Sequence, residues 1–364
     1  MAKNKGGFLG FSGLEESPKV YSGVWPLNLE VFHRQGNVIS ASAITPASAV
    51  ESASAKGVWS LAEQAVFAGV GKWPVPGLTQ VNGFFAGRLD FAGANTINEI
   101  DFVTEGNATD FGDLTVSRGA IAGFSSSTRG VWGGGFTGAA WSNVIDYITM
   151  SSAGNATDFG DLSSVRAAPA GSSNNTRGLF SGGSDATTNA RSNIIEYVTI
   201  ASTGDTTDFG DLTVARRYGQ GCGSSTRSLC FAGGSLDSGS SNVIDYVTIG
   251  STGNATDFGD LSSARDSVGS CSNTTRAIFA GGASTNTIEF VTIASTGNTT
   301  DFGDIRVGAG GSCCASSLTA VFAYSGSNEI QKVSIATTGD ATDFGDATTS
   351  NNGAGISNGH GGLS

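Results

Sequence analysis

The residues able to do chemistry in this chain are few, and they recur. Asp-Phe-Gly-Asp occurs six times, starting at Asp110, Asp158, Asp208, Asp257, Asp301 and Asp343. Two carboxylates three residues apart invite a calcium reading or an acid–base pair for glycoside hydrolysis. The spacing lacks the Asp-x-Asp-x-Asp-Gly order of calcium loops. A catalytic pair would appear once, whereas these carboxylates appear in every unit, which is what a structural role predicts. The first aspartate is therefore expected to make an Asx-type turn, and the glycine to permit a positive φ. The phenylalanines Phe111, Phe159, Phe209, Phe258, Phe302 and Phe344 are expected to enter the core between units. The closing aspartates Asp113, Asp161, Asp211, Asp260, Asp304 and Asp346 belong to the same structural motif.

Histidine is confined to His33 and His360, neither within a complete unit. Acid–base, copper and zinc sites lean on histidine, so neither catalysis nor a metal or cofactor is expected. The five cysteines are Cys222, Cys230, Cys271, Cys313 and Cys314. Eleven residues past the closing aspartates stand Phe124, Ser172, Cys222, Cys271 and Ala315, so two cysteines share one place in the repeat. Cys313 and Cys314 would point to opposite faces of a strand and cannot pair with each other. All five are expected to be free and buried, and the odd count points to assembly in a reducing cytoplasm. Two recurring arginine sets, Arg118, Arg166, Arg216, Arg265 and Arg129, Arg177, Arg227, Arg276, are expected to pair with the motif aspartates. Asn107 and Asn155 head Asn-x-Ser/Thr sequons that recur with the repeat and read as turn residues.

The elements that must position these residues follow from composition and period. Of 364 residues, 55 are glycine and 6 proline, and only 14% are charged. So much glycine argues against helices and for short strands joined by tight turns. No apolar run approaches the roughly 18 residues of a membrane span. Residues 1–78 hold six basic and five acidic groups, a net of +1, which leaves −13 of the total −12 on residues 79–364. A unit that acidic repels phosphate backbones, so nucleic-acid binding is not expected. Five of the six prolines precede residue 78, and Pro74 and Pro76 mark a stiff linker, so the domains are drawn as 1–78 and 79–364.

The motif spacings are 48, 50, 49, 44 and 42 residues. That period, with glycine doublets, points to propeller blades. Low-complexity disorder is excluded because apolar positions recur in register with the turn residues. One unit carries a small-residue stretch (167–173), an apolar strand ended by Gly182-Gly183, a β-branched strand (193–200) and the motif strand (206–212). The first unit lacks an opening strand, and residues 351–359 supply a spare one. The two ends are expected to complete one blade and close a ring of six, leaving no exposed sheet edge at the seam.

On these residues the chain resembles kelch-type β-propellers, the class of the central domain of galactose oxidase. The doublets Gly134-Gly135, Gly182-Gly183, Gly233-Gly234 and Gly281-Gly282 carry the resemblance, with the acidic–aromatic pairs Asp146-Tyr147, Glu196-Tyr197, Asp245-Tyr246 and Glu289-Phe290. It spans about residues 79–360 and departs in the fourth strand, where kelch repeats usually have tryptophan, and in the last unit, which has Gln331-Lys332 and no doublet. The copper ligands of galactose oxidase are absent, so the resemblance implies fold and not activity. The near-identical units also resemble repeats of bacteriophage structural proteins. The expected fold is therefore all-β: a six-bladed kelch-like propeller closed by a C-terminal strand, preceded by a mostly irregular anchor with one short helix.

That helix is expected at 61–67, where Ser60 and Glu63 form a capping box. The N-terminal segment has too few apolar residues for a large core. Trp25, Phe32, Trp59 and Trp73 are expected to bury against a neighbouring subunit or another particle protein, the alternative being a small cap packed on the ring. The loops between second and third strands vary in length and sequence, as binding edges on rigid scaffolds do. They offer Phe136, Trp141, Asp185, Arg191 and Asp237 as candidate ligand contacts. Trp141 is suited either to stack on a sugar or to cover a blade. The resemblance implies a virion protein of tail, neck or fibre, assembled in the host cytoplasm as a homo-oligomer. It would be docked by residues 1–78 and present its ring to a host-surface glycan, without membrane insertion. The alternatives are a decoration protein without a receptor and, further off, a glycan-processing enzyme.

Overall fold

Each repeat folds as a four-stranded antiparallel sheet, because two β-branched or aromatic strands lie between a small-residue strand and the motif strand. The computed structural model describes residues 81–364 except 89, 91, 186–189, 283–284, 307–310, 325, 350–351 and 364. The chain divides into Met1–Thr79 and Gln80–Ser364, and only the second unit is described below. The helix expected at 61–67 and the aromatics Trp25, Phe32, Trp59 and Trp73 lie outside the described residues.

From axis to rim, blade 2 is Ala122–Ser125, Arg129–Gly133, Val144–Thr149 and Thr157–Asp161. Blade 3 is Ala170–Ser173, Arg177–Ser181, Ile194–Thr199 and Thr207–Asp211. Blade 4 is Gln220–Gly223, Arg227–Ala232, Val243–Thr248 and Thr256–Asp260. Blade 5 is Gly269–Ser272, Arg276–Ala280, Thr287–Thr292 and Thr300–Asp304. Blade 6 is Gly311–Ala315, Thr319–Tyr324, Glu329–Ser334 and Thr342–Asp346. Blade 1 takes its inner strand, Asn352–Ser357, from the C-terminus and pairs it with Asn82–Arg88, followed by Ala94–Asp101 and Thr109–Arg118. The closing register sets Phe84 opposite Ile356 and Phe85 opposite Gly355. The inner strands contact one another in cyclic order, so the six-bladed ring expected from the repeat is the fold.

The core lies between blades. Phe159 of blade 2 packs with Val198 and Ile200 of blade 3, and its ring meets Tyr147 edge-on at 5.9 Å. All six motif phenylalanines are buried, as expected. The motif also fastens each blade to the next. Gly154 N donates to Phe111 O at 2.9 Å, Ala156 N donates to Asp113 O at 2.7 Å, and Asn155 Oδ1 accepts from Asp113 N at 3.1 Å. The closing seam repeats the device: Gly106 N donates to Phe344 O at 3.1 Å and Asn107 Oδ1 accepts from Asp346 N at 3.0 Å. Asn107 and Asn155 are thus inter-blade acceptors, a more specific role than turn formation. The motif glycine is required by contact as well as by φ: a Cβ on Gly160 (φ 147°) would lie 2.4 Å from Gly204 O of the next blade.

Three expectations are corrected. Of the six first motif aspartates, Asp257 alone makes the Asx turn, its Oδ1 accepting from Gly259 N at 3.1 Å; all six are exposed. The arginines do not pair with the motif aspartates, because a buried guanidinium needs a buried counter-charge and the motif carboxylates are at the rim. Arg118, Arg166, Arg216 and Arg265 instead pair with Asp146, Glu196, Asp245 and Glu289, the acidic members of the acidic–aromatic pairs. Arg129, Arg177, Arg227 and Arg276 lie over the aromatic members, Tyr147, Tyr197, Tyr246 and Phe290, and donate to carbonyls of the following blade. Finally, the cysteines are not all free. Cys271 and Cys313, on adjacent inner strands with Cα atoms 5.7 Å apart, form a disulfide, while Cys222, Cys230 and Cys314 are free and buried. By pairing register Cys314 (opposite Val321) is the equivalent of Cys271 (opposite Ile278), and Cys313 (opposite Phe322) that of Ser270 (opposite Phe279). Cys271 and Cys313 therefore stand one place apart in the repeat and point to opposite faces of their blades, which lets them meet between blades 5 and 6.

Candidate functional site

The strand order gives the ring two unlike faces. Turns between first and second strands, and between third and fourth, lie on one face and are short and uniform. The opposite face carries the second-to-third loops and the connectors between blades.

The axis itself is nearly full. Its cavity is about 50 Å³, lined by glycine, serine and cysteine of the inner strands and by His360. That volume suits one or two waters and not a ligand. Serine hydroxyls stitch the inner strands together: Ser173 Oγ donates to Ser125 O at 2.7 Å and Ser272 Oγ to Gly223 O at 2.7 Å. At the uniform face His360 and the 3-10 turn Gly361–Leu363 close the axis. His360 Nε2 donates to Ser125 O at 3.2 Å, and Nδ1 accepts from Gly362 N at 3.1 Å, which selects one neutral tautomer. Burial pushes its pKa down to about 4, against the bond to the Ser125 carbonyl. Burial likewise pushes the Cys222 thiol up to about 12, so it supplies no thiolate at neutral pH. Among the described residues no three His, Cys, Asp or Glu side chains are grouped to hold a metal ion.

On the irregular face a backbone girdle surrounds the axis. Ala168 N donates to Ala120 O at 2.8 Å, Tyr218 N to Ala168 O at 3.1 Å and Ser267 N to Tyr218 O at 2.8 Å. All four of these residues have φ between 50° and 59°, a rare conformation for anything but glycine. The loops of blades 2, 3 and 4 are also rooted on the connectors of their own blades. Phe136 pairs with Gly119, Ser184 and Asp185 pair with Ala167 and Arg166, and Ser235 pairs with Arg217.

The candidate contacts fall into two groups. Phe136 and Trp141 face each other across a tight hairpin of blade 2, whose tip is held by Thr137 Oγ1 donating to Ala140 O at 3.0 Å. Both rings are partly covered. Arg191 of blade 3 reaches Asp237 of blade 4 at 3.1 Å, with Asp185 on the same blade 3 loop. Arg217, Tyr218 and Asp266 join this second group and were missed from sequence. Arg217 Nη1 donates to Ser184 Oγ at 3.1 Å and its guanidinium lies 4.8 Å from the Tyr218 ring centroid. Ser240 Oγ donates to Asp266 Oδ2 at 3.4 Å. Burial raises the Tyr218 pKa, Arg217 opposing it, so the hydroxyl stays protonated and able to donate. The signal that finds these residues is departure from the repeat: Gly119 and Ala167 stand where Arg217 does, and Ala120 and Ala168 where Tyr218 does.

No family model and no curated protein matches this chain. The fold rests on its own strand order and register, and the chemistry on the two groups just described. They offer fixed hydrogen-bond donors and acceptors beside aromatic rings.

Proposed function

We propose that the protein is an attachment component of a virion, phage in origin, that docks through residues 1–78 and displays the propeller to a surface glycan. A β-propeller is consistent with a binding or attachment domain, and the asymmetry of its two faces carries the reading. One face is made of near-identical turns that hold blades together, and the other bears loops that differ from blade to blade and are rooted by backbone pairs. Irregularity on a rigid frame is the arrangement in which loops bind without loosening the fold. Phe136, Trp141, Asp185, Arg191 and Asp237 all lie on that face. The repeated aspartates, by contrast, fasten the ring.

The test is saturation binding of the labelled full chain to a panel of bacterial strains, before and after enzymatic removal of surface polysaccharide. Saturable binding lost on stripping supports attachment. Absence of binding to every strain by a folded chain sinks it and leaves the decoration role.

A further inference from the structure

We infer that the seam between blades 3 and 4 on the irregular face, centred on Tyr218, is a binding site for an uncharged saccharide. The inference rests on the attachment reading and gives it a place and a ligand class.

Here, among the described residues, side chains of different blades reach across their loops. Arg191 Nη1 lies 3.1 Å from Asp237 Oδ1 and Nη2 3.4 Å from Ser235 Oγ, while Arg217 spans back to Ser184 at 3.1 Å. Asp266, held by Ser240 and by Ser267 Oγ at 3.1 Å, borders the same patch. The girdle that passes through Tyr218 uses backbone atoms only, and Ala120, Ala168 and Ser267 make it equally well. Tyrosine at positive φ is more strained than alanine or serine, and such strain collects where function holds it.

Charge selects the ligand class. Two arginines face three aspartates, Asp185, Asp237 and Asp266, within a unit of net charge −13. That balance gives no attraction for sulfate, phosphate or uronate. It does give interleaved donors and acceptors beside a protonated phenol and its ring, which is the chemistry that reads vicinal hydroxyls and a sugar's C–H face. Asp237 is 72% exposed and can turn to ligand hydroxyls, while Arg191, 15% exposed and also bonded to Ser235, presents its donors from a fixed place.

The experiment presents the full chain to immobilised neutral gluco-, galacto- and manno-oligosaccharides and to alginate and heparin oligomers as anionic probes. Tyr218→Ala, Asp237→Asn and, on the opposite face, Ser127→Ala are compared at low and high salt. The expected result is binding to a neutral oligosaccharide that is insensitive to salt. It should weaken at least tenfold in Tyr218→Ala and severalfold in Asp237→Asn, and stay unchanged in Ser127→Ala. Alanine already occupies the equivalent position at 120 and 168, so Tyr218→Ala is expected to fold, which its unfolding midpoint verifies. Binding only to the anionic probes, no binding to any neutral probe, or full binding by both seam variants overturns the inference. If those variants still attach to cells through polysaccharide, the seam is refuted while attachment stands. If the wild-type chain binds neither saccharide nor cells, both fall.

Discussion

A buried arginine and its carboxylate stand or fall together. Arg118, Arg166, Arg216 and Arg265 are almost fully covered, and burial pulls each guanidinium pKa down while the partner carboxylate opposes. Blades 6 and 1 show what happens when the pair is dropped whole. Gln331 and Asn98 hold the carboxylate's place, and the connectors leading to those blades contain only Arg306, which is half exposed and pairs with Glu329. Arg166→Ala alone should therefore lower stability by about 3–5 kcal/mol by leaving Glu196 charged and buried. Adding Glu196→Gln, the blade 6 solution, should restore at least half of it, as read from urea midpoints. A double variant no better than the single one would mean that the ion pair itself holds the seam. His360 makes a prediction in pH. Its folded pKa of about 4 lies below the ordinary 6.5, so the unfolded chain takes the proton first. Its contribution is full above pH 6.5 and is lost as pH falls to 4. Between those values the wild-type melting temperature should fall more than that of His360→Gln. Parallel curves for the two proteins would contradict this. The arginine sets were legible as recurring positions, but their partners were not, because which carboxylate is buried beside a guanidinium is a tertiary fact.

At the scale of elements, the strands and the unit boundaries could be read directly from the sequence. Turn glycines, β-branched strands and the motif recur together, so each blade repeats the same local choices. The inter-blade fastening was less visible, since it uses backbone groups of Phe111 and Asp113 against the turn at Gly154 and Asn155 of the next blade. It yields a comparison at matched φ. A Cβ on Gly154 (φ 152°) meets nothing within 4 Å, whereas one on Gly160 (φ 147°) meets Gly204 O at 2.4 Å. Gly154→Ala should cost about 1–2 kcal/mol of backbone strain, and Gly160→Ala distinctly more, because a blade must move. Equal denaturation midpoints would show that the contact does not matter. The Cys271–Cys313 pair escaped detection for a related reason: counting from the motif aligned Ala315 with Cys271, whereas a connector one residue shorter makes Cys314 its equivalent and leaves Cys313 on the opposite face of the strand, against Cys271.

For the whole molecule, closure is the main consequence of the repeat. The C-terminal strand Asn352–Ser357 covers Asn82–Arg88, which would otherwise be an open edge. Ending the chain before Asn352 should expose that edge and produce concentration-dependent association by light scattering, where the full chain shows none from this cause. The motif supplies twelve of the acidic groups that make residues 79–364 so negative, two per blade at the rim. They discourage edge pairing as they discourage nucleic acid. The candidate site was half legible. Loop variability marked Phe136, Trp141, Asp185, Arg191 and Asp237, but Arg217, Tyr218 and Asp266 sit in connectors that otherwise follow the repeat. Only the structure shows that the girdle through Tyr218 uses backbone atoms and so leaves the choice of side chain there open. The most direct measurement is binding of a full chain whose loops 136–141, 185–191 and 236–240 are replaced by the Ala-Ser-Thr connection of blade 5. The ring should keep its unfolding midpoint within a few degrees while saturable attachment to polysaccharide-bearing cells disappears. Undiminished attachment by that folded ring would contradict the assignment of binding to the irregular face.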